Sequence, residues 1–391
     1  MQAKRIGIDG ATWDNQRGYG RFTREIVRAL LGLDRPYRYA LFLNRETARG
    51  DIPAGLDVIE VPTSVRSSLA ASADSYRTPG DIWAFTAAIA RATVDLLFFP
   101  SVYSIVPLLP RHVPLIVGIH DTIAEMFPAY IFNSARARLF WTVKTQIAVR
   151  QAARILTVSE HAKRGVQSHF GIPSEKIRVT HEAAASGFRR VSEPGALAAA
   201  LERSGIAPGT RYIIYFGGLT PHKNVGLLVE TFAALSADPR FAGMKLILAG
   251  DYEHDVYLTA HPALRAQVNA RCRDAVIFTG HVDDDTAACL LSGALASVLP
   301  SLEEGFGLPG IEAAACGAPL IATRNSAMPE WLGDAALYID PHQANELRSA
   351  LERVLLDEPL RRRMSALGME RARQLTWQSA AERVAAVFDE W

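Results

Sequence analysis

The stretch Ala296-Ser-Val-Leu-Pro-Ser-Leu-Glu-Glu-Gly-Phe-Gly-Leu-Pro-Gly-Ile-Glu312 carries a strand, a turn and a helix start in direct succession. Ala296 to Leu299 is a short apolar run and reads as a buried parallel strand, while Ile311 to Cys316 reads as the opening of a helix. Between them lie Gly305-Phe306-Gly307-Leu308. A strand, a Gly-rich turn and a helix N-terminus make an anion-binding corner, because backbone N–H groups point outward and glycines allow close approach. Glu304 and Glu312 bracket the turn, and a carboxylate accepts hydrogen bonds from sugar hydroxyls. A ligand with a phosphate in its middle and polyols on both sides fits this pattern, which describes a sugar nucleotide.

Outward from that stretch, short apolar runs alternate with helical patterns along the whole chain. This is the signature of parallel sheets flanked by helices, an α/β class. In the first half, strands are expected near Arg5–Asp9, Tyr39–Asn44, Asp57–Val61, Leu96–Phe99, Leu115–His120, Ile155–Val158 and Ile177–Thr180. In the second half they are expected near Arg211–Phe216, Lys245–Ala249, Val276–Thr279, Ala296–Leu299, Leu320–Thr323 and Ala336–Ile339. Between the halves, Val191 to Gly209 holds Ser-Glu-Pro-Gly, an Ala/Leu helix and Pro-Gly, which places a domain junction there. The segment Thr63–Ser75 reads as a loop, and the last sixteen or so residues, from Thr376, read as an amphipathic helix.

Composition narrows the class. A chain of 391 residues is long enough for two α/β domains with separate cores. Lys and Arg number 42 against 41 Asp and Glu, so no global basic field points to nucleic acid, and none is expected as a partner. Cys272, Cys289 and Cys316 are widely spaced and match no metal motif. The longest apolar stretch, Ala287 to Pro300, is too short to span a bilayer, and a strand begins at Lys4, so a cytoplasmic location is expected.

The motif Pro300-Ser-Leu-x-Glu-Gly-Phe-Gly-Leu-Pro-x-x-Glu-Ala313 resembles the retaining glycosyltransferases of family 4, as do Ala327-Met-Pro-Glu330 and Gly333 to Pro341. The resemblance implies the glycosyltransferase B fold: two Rossmann-like domains whose parallel sheets face each other across a cleft. The acceptor-side domain would take residues 1–195 plus the crossover helix 376–391, and the donor-binding domain residues 205–375. The implied activity is transfer of a hexosyl unit from a nucleoside-diphosphate sugar to a hydroxyl of a glycan, lipid-linked glycan or small molecule. Bacterial mannosyl- and hexosyltransferases of surface polysaccharides look most similar, so GDP-mannose leads over UDP-glucose and dTDP-rhamnose. Within the fold a sugar-nucleotide epimerase or phosphorylase is the rival reading, and outside it a non-catalytic sugar-nucleotide-binding or scaffold subunit.

The resemblance also distributes roles. Glu304 would hold the transferred sugar, Gly305, Phe306, Gly307 and Leu308 its phosphate, and Glu312 the ribose. Phe216-Gly-Gly-Leu-Thr-Pro-His-Lys-Asn224 is similar to the family's donor turn, with Gly217, Gly218 and Lys223 on the diphosphate; a solvated lysine is the plainer reading of Lys223. His222 and Gly218 stand where the family often has arginines, which bears on phosphate affinity. In Arg17-Gly-Tyr-Gly-Arg21, Gly18 and Gly20 would meet the diphosphate or simply form a turn, and Arg21 would add charge or anchor a helix. His120 and Asp121 end a strand, where open α/β sheets bind ligands. His120 is either close to the sugar or a satisfied core histidine, and Asp121 either a catalytic group or the holder of the His120 tautomer. Val282 would pack on the nucleobase, and Ser159 reads as a helix cap. No metal and no other cofactor is expected, since Asp283 to Asp285, the one dense acidic run, falls in the base loop. The helix expected over residues 133–154 mixes Arg136, Arg138, Lys144, Arg150 and Arg154 with Leu139, Phe140, Trp141 and Val143, either a packed helix with a solvated basic side or a contact with the inner membrane face.

Overall fold

The computed structural model describes residues 3–15, 18–44, 52–63, 78–106, 112–250 and 260–391. Most of the loop expected at Thr63–Ser75 lies outside them, as does Arg17. The chain divides into two compact units, Met1–Glu182 with Thr376–Trp391, and Ala183–Leu375. The division comes ahead of the Pro/Gly-rich segment because the residues before that segment are already bonded to the second unit. Arg190 donates from Nη1 to the Gly317 carbonyl at 3.2 Å, and the Val191 amide donates to Ser292 Oγ at 3.0 Å.

The first unit is built on a seven-stranded sheet, β1 (Lys4–Asp9), β2 (Tyr37–Asn44), β3 (Leu56–Val61), β4 (Leu96–Phe99), β5 (Leu115–Gly118), β6 (Arg154–Thr157) and β7 (Ile177–Val179), in the order β3-β2-β1-β4-β5-β6-β7. All its pairings are parallel. The central strands β4 and β5 are apolar and buried at every position, as a strand covered on both faces requires, whereas the edge strand β3 exposes Asp57 and Glu60. The C-terminal helix Trp377–Phe388 belongs to this unit: Phe388 stacks edge-on to Phe98 at 5.6 Å, and Lys4 Nζ donates to the Phe388 carbonyl at 3.1 Å.

The second unit holds six parallel strands, β8 (Tyr212–Phe216), β9 (Lys245–Ala249), β10 (Val276–Gly280), β11 (Ser297–Leu299), β12 (Leu320–Thr323) and β13 (Ala336–Ile339), in the order β10-β9-β8-β11-β12-β13. In each sheet the chain runs out to one edge and then returns to the other side of its first strand. The reversal falls between β1 and β4 in the first unit and between β8 and β11 in the second. Loops diverge there at the carboxyl ends of the strands, leaving room for a ligand. The loops that carry Lys223 and Glu304 leave the second sheet at its reversal, and His120 and Asp121 follow β5, next to β4 in the first.

Candidate active site

In the second unit the loops after β8 and β11 meet. Lys223 Nζ donates to Glu304 Oε1 at 2.7 Å, and Ser301 Oγ donates to the same oxygen at 2.7 Å. Buried carboxylates are costly unless paired, and Glu304, only 6% exposed, has Lys223 as its partner. The two loops are locked by backbone bonds as well: the Leu302 amide donates to the His222 carbonyl at 2.8 Å. Asn224 adopts a left-handed φ of 56° and spreads its Nδ2 over the Pro300 carbonyl (3.1 Å) and the Pro341 carbonyl (2.7 Å). It thereby ties together the ends of β8, β11 and β13. In the sequence the signal for this role is an Asn at a sharp turn before a helix, where a left-handed residue is favoured.

The turn that follows is shaped for a close approach. Gly307 caps the helix Leu308–Ala315 at φ +91°, which side chains with a Cβ avoid, and a Cβ there would lie 3.1 Å from Met328 Cγ. Pro309 sits within the first turn, where the absent N–H leaves no orphan donor. Phe306 stacks on Trp331 with centroids 5.6 Å apart, and Trp331 Nε1 donates to the Phe306 carbonyl at 3.2 Å, so the turn cannot drift. Glu312 lies on this helix, 3% exposed; Cys316, one turn on, has its thiol pushed up to about 12 by burial and then by Glu312.

Two features modify the expected roles. The Gly217 amide donates to the Ala249 carbonyl at 2.9 Å, and the Gly218 carbonyl accepts from Tyr215 Oη at 2.5 Å. These groups close the sheet end. His222 is buried, and that burial, with Lys223 beside it, lowers its pKa to about 3. It is therefore neutral at physiological pH and cannot supply the charge of an arginine, which leaves the cationic role at this turn to Lys223. Val282 stands apart, on the loop after the edge strand β10, with β9 between that strand and β8.

In the first unit, His120 and Asp121 leave β5 beside the end of β4. Both ring nitrogens of His120 face oxygens: Nε2 lies 2.9 Å from the Pro100 carbonyl and Nδ1 3.3 Å from Glu182 Oε1. Tyr19 packs on His120 at 5.0 Å and on Tyr103 at 4.6 Å, and its hydroxyl donates to Asp121 Oδ2 at 2.7 Å. Burial and the neighbouring Asp121 hold that phenol well above its ordinary pKa, so it stays a donor. Asp121 Oδ1 accepts from the Ile123 amide at 3.0 Å, so this carboxylate is fixed at both ends. Gly20 has a packing reason of its own: a Cβ there would sit 1.8 Å from the Asn15 carbonyl oxygen. Gly18 is exposed and Arg21 half-buried on the same helix, Gly18–Leu31. Ser159 caps the helix Glu160–Phe170, accepting from the Ala162 amide at 2.9 Å. Tyr19, Tyr103 and Glu182 were not singled out from sequence. Glu182 had a signal, since it follows β7 at the carboxyl edge of the same sheet.

Two family models match, "Glycosyltransferase Family 4" over residues 17–183 and "Glycosyl transferases group 1" over residues 199–371. The chain is 31% identical over 231 residues to the O-antigen chain mannosyltransferase B of Escherichia coli, covering 58% of each chain. It is 25% identical over 243 residues to the O-antigen chain mannosyltransferase RfbU of Salmonella typhimurium, covering 62% of each. It thus spans somewhat under two thirds of the length of these relatives. Among solved structures, sucrose-phosphate synthase of Thermosynechococcus elongatus superposes with a TM-score of 0.78 at 17% identity, over 99% of this chain and 98% of that one. HepE of Anabaena, in complex with UDP, gives 0.73 at 17% identity, over 99% and 100%. Matched in both halves and carried on the glycosyltransferase B fold, the chain belongs to family 4 of the glycosyltransferases.

Proposed function

We propose that the chain is a retaining hexosyltransferase, with a mannosyl unit favoured, that takes its sugar from a nucleoside-diphosphate donor and passes it to a hydroxyl of a glycan or lipid-linked glycan in polysaccharide synthesis. The observation that carries this reading is the corner of the second unit. A cation, Lys223, and a carboxylate, Glu304, stand 2.7 Å apart at the carboxyl ends of β8 and β11, beside the helix capped by Gly307. A leaving nucleoside diphosphate gains negative charge in the transition state, and a fixed ammonium next to a helix N-terminus stabilises it before the reaction begins. Glu304 would hold hydroxyls of the transferred sugar, and Glu312 those of the ribose. HepE of Anabaena crystallises in complex with UDP and with UDP-glucose, and the O-antigen relatives are mannosyltransferases, which together favour a sugar nucleotide as donor and mannose as its sugar.

The acceptor would be met by the first unit, where Asp121 and His120 are held in fixed orientations. No side-chain base is assigned to the acceptor proton; in front-face retention the leaving phosphate accepts it. The test is a panel of nucleoside diphosphates and their sugars scored by thermal shift, followed by release of free nucleoside diphosphate with an O-antigen-like acceptor. Stabilisation by GDP and GDP-mannose, with turnover, is expected. Binding without turnover across a broad acceptor panel would sink the catalytic reading in favour of a scaffold.

A further inference from the structure

The helix Ala135–Gln151 is two-faced in an unusual way. Its inner face, with Trp141, Lys144, Thr145, Ala148 and Val149, is buried in the first unit. Lys144, which the sequence placed among surface cations, is turned inward and donates to the Tyr103 carbonyl at 2.8 Å. The outer face repeats at helical spacing: Arg136, Leu139, Phe140 and Val143 occupy positions i, i+3, i+4 and i+7. Leu139 is 66% exposed, Val143 50% and Phe140 41%. Met126 and Tyr130, on the two short helices just ahead, are also about half exposed. The helix contains no acidic residue, and exposed Arg150, one to two turns past Val143, falls on the same face. In a chain with a net charge of only +1, this combination of apolar bulk and single-sign charge is local.

We infer that this face docks on an anionic lipid bilayer, with Leu139, Phe140 and Val143 entering the headgroup boundary and Arg136 and Arg150 meeting lipid phosphates. The helix would lie in the interface, since among the described residues no helix is long and apolar enough to cross a membrane. The inference rests on the lipid-linked acceptor of the proposed function and adds the surface that would present it. Its inner face leads directly to the acceptor-side residues: Trp141 Nε1 donates to Glu125 Oε1 at 2.7 Å, Trp141 packs on Tyr103 at 4.7 Å, and Tyr103 packs on Tyr19, which holds Asp121. A bilayer seated on the outer face would therefore be rigidly placed relative to the His120–Asp121 loop.

Vesicle flotation with the whole chain tests this without any donor. Binding to phosphatidylglycerol vesicles is expected, little binding to pure phosphatidylcholine, and weakening with added salt. Leu139→Glu with Val143→Glu should weaken binding at least about tenfold, whereas Trp83→Glu, at an aromatic 68% exposed elsewhere in the unit, should not. Arg136→Glu with Arg150→Glu gives the same reading if the first pair fails to fold by circular dichroism. Equal binding to both lipids, no binding, or retained binding in both double variants would overturn the inference. So would a monomer–dimer equilibrium abolished by the same substitutions with vesicle binding untouched, which would assign the face to a second copy. Sugar transfer to a water-soluble acceptor, measured in parallel, separates this outcome from failure of the proposed activity.

Discussion

In the second unit the polar residues of the candidate site come from the two loops at the β8/β11 reversal, and they meet as an ion pair sealed by backbone bonds. In the first unit the residues around His120 arrive from stretches far apart in the chain: Tyr19, Pro100, Tyr103, His120, Asp121 and Glu182. One corner is local and charged, the other distributed and largely aromatic. The first holds its charges by pairing them with each other, which a diphosphate can reorganise. The second holds its polar groups against the fold itself, since both nitrogens of His120 are already matched by protein oxygens. On the proposed function the second unit would meet the charge of the ligand and the first would form a rigid wall, and this orders the expected effects of substitution.

Breaking the pair from the carboxylate side should have the largest consequence. Glu304→Ala removes the acceptor shared by Lys223 and Ser301, while the bond from the Ala327 amide to the Glu304 carbonyl remains to hold the backbone. Activity with the best donor should fall by about ten- to a hundredfold or more, the worth of a charged hydrogen bond, with little change in thermal stability. A loss under about threefold would remove Glu304 from the sugar contact. Lys223→Ala attacks the other partner. Nucleoside diphosphate affinity should drop by about tenfold while that of the nucleoside stays within about twofold, because only the phosphates offer charge to the ammonium. Equal losses for both ligands by calorimetry would place Lys223 on the base or in the fold.

Sequence legibility follows the same line. The strands were readable throughout because each is a short apolar run bounded by turn residues, and a parallel sheet covered on both faces requires that. The donor corner was readable because its chemistry is contiguous: Glu304 to Glu312 lies within one stretch and Lys223 within another. What the sequence hid was the state of individual groups. Nothing in Pro-His-Lys-Asn says that His222 is buried and neutral, or that the Gly217 amide is spent on Ala249. Glu182 and Tyr103 could not be attached to His120 without the strand order, and Lys144 turned inward against the expectation of a solvated basic helix.

Within the first unit, Tyr19→Phe sharpens the contrast. It deletes the 2.7 Å bond to Asp121 while keeping the ring stacked between Tyr103 and His120. Transfer should slow by about fivefold, near the net worth of one hydrogen bond, with donor affinity unchanged. A matching loss of donor affinity would show that the aromatic wall is not confined to the acceptor side.

Glu125 offers a smaller effect, read in stability. Burial, reinforced by Asp121 and offset by the Trp141 bond, raises its carboxyl from 4.5 to about 7. The folded state keeps that proton while the unfolded chain loses it. This contribution is therefore full below about pH 4.5, declines as pH rises toward 7, and is flat above. Glu125→Gln retains an acceptor for Trp141 and removes the titration. Relative to the parent, its Tm should be higher at pH 8 than at pH 4.5 by about 2–4 °C, allowing for solvent screening of a partly exposed group. Parallel Tm curves for the two proteins across that range would place the titration elsewhere.

The smallest expected effect is that of chelation, which should leave transfer unchanged. Metal-dependent sugar transfer needs carboxylates set to bridge an octahedral cation to the diphosphate. At the β8/β11 corner Glu304 is bonded to Lys223, an ammonium that can meet the charge of a diphosphate without a bridging cation. The dense acidic run is engaged in a different task. Asp283 caps the helix Asp284–Gly293, its Oδ1 accepting from the Thr286 amide at 2.7 Å, and that bond holds its carboxyl below the usual range. Asp284 and Asp285 follow in the first turn, where negative charge favours the helix dipole. A purified assay with and without a strong chelator decides the point. Activity lost on chelation and restored by magnesium or manganese would mean that a cation displaces Lys223 from Glu304. The charged corner would then be a metal seat held closed by its own lysine.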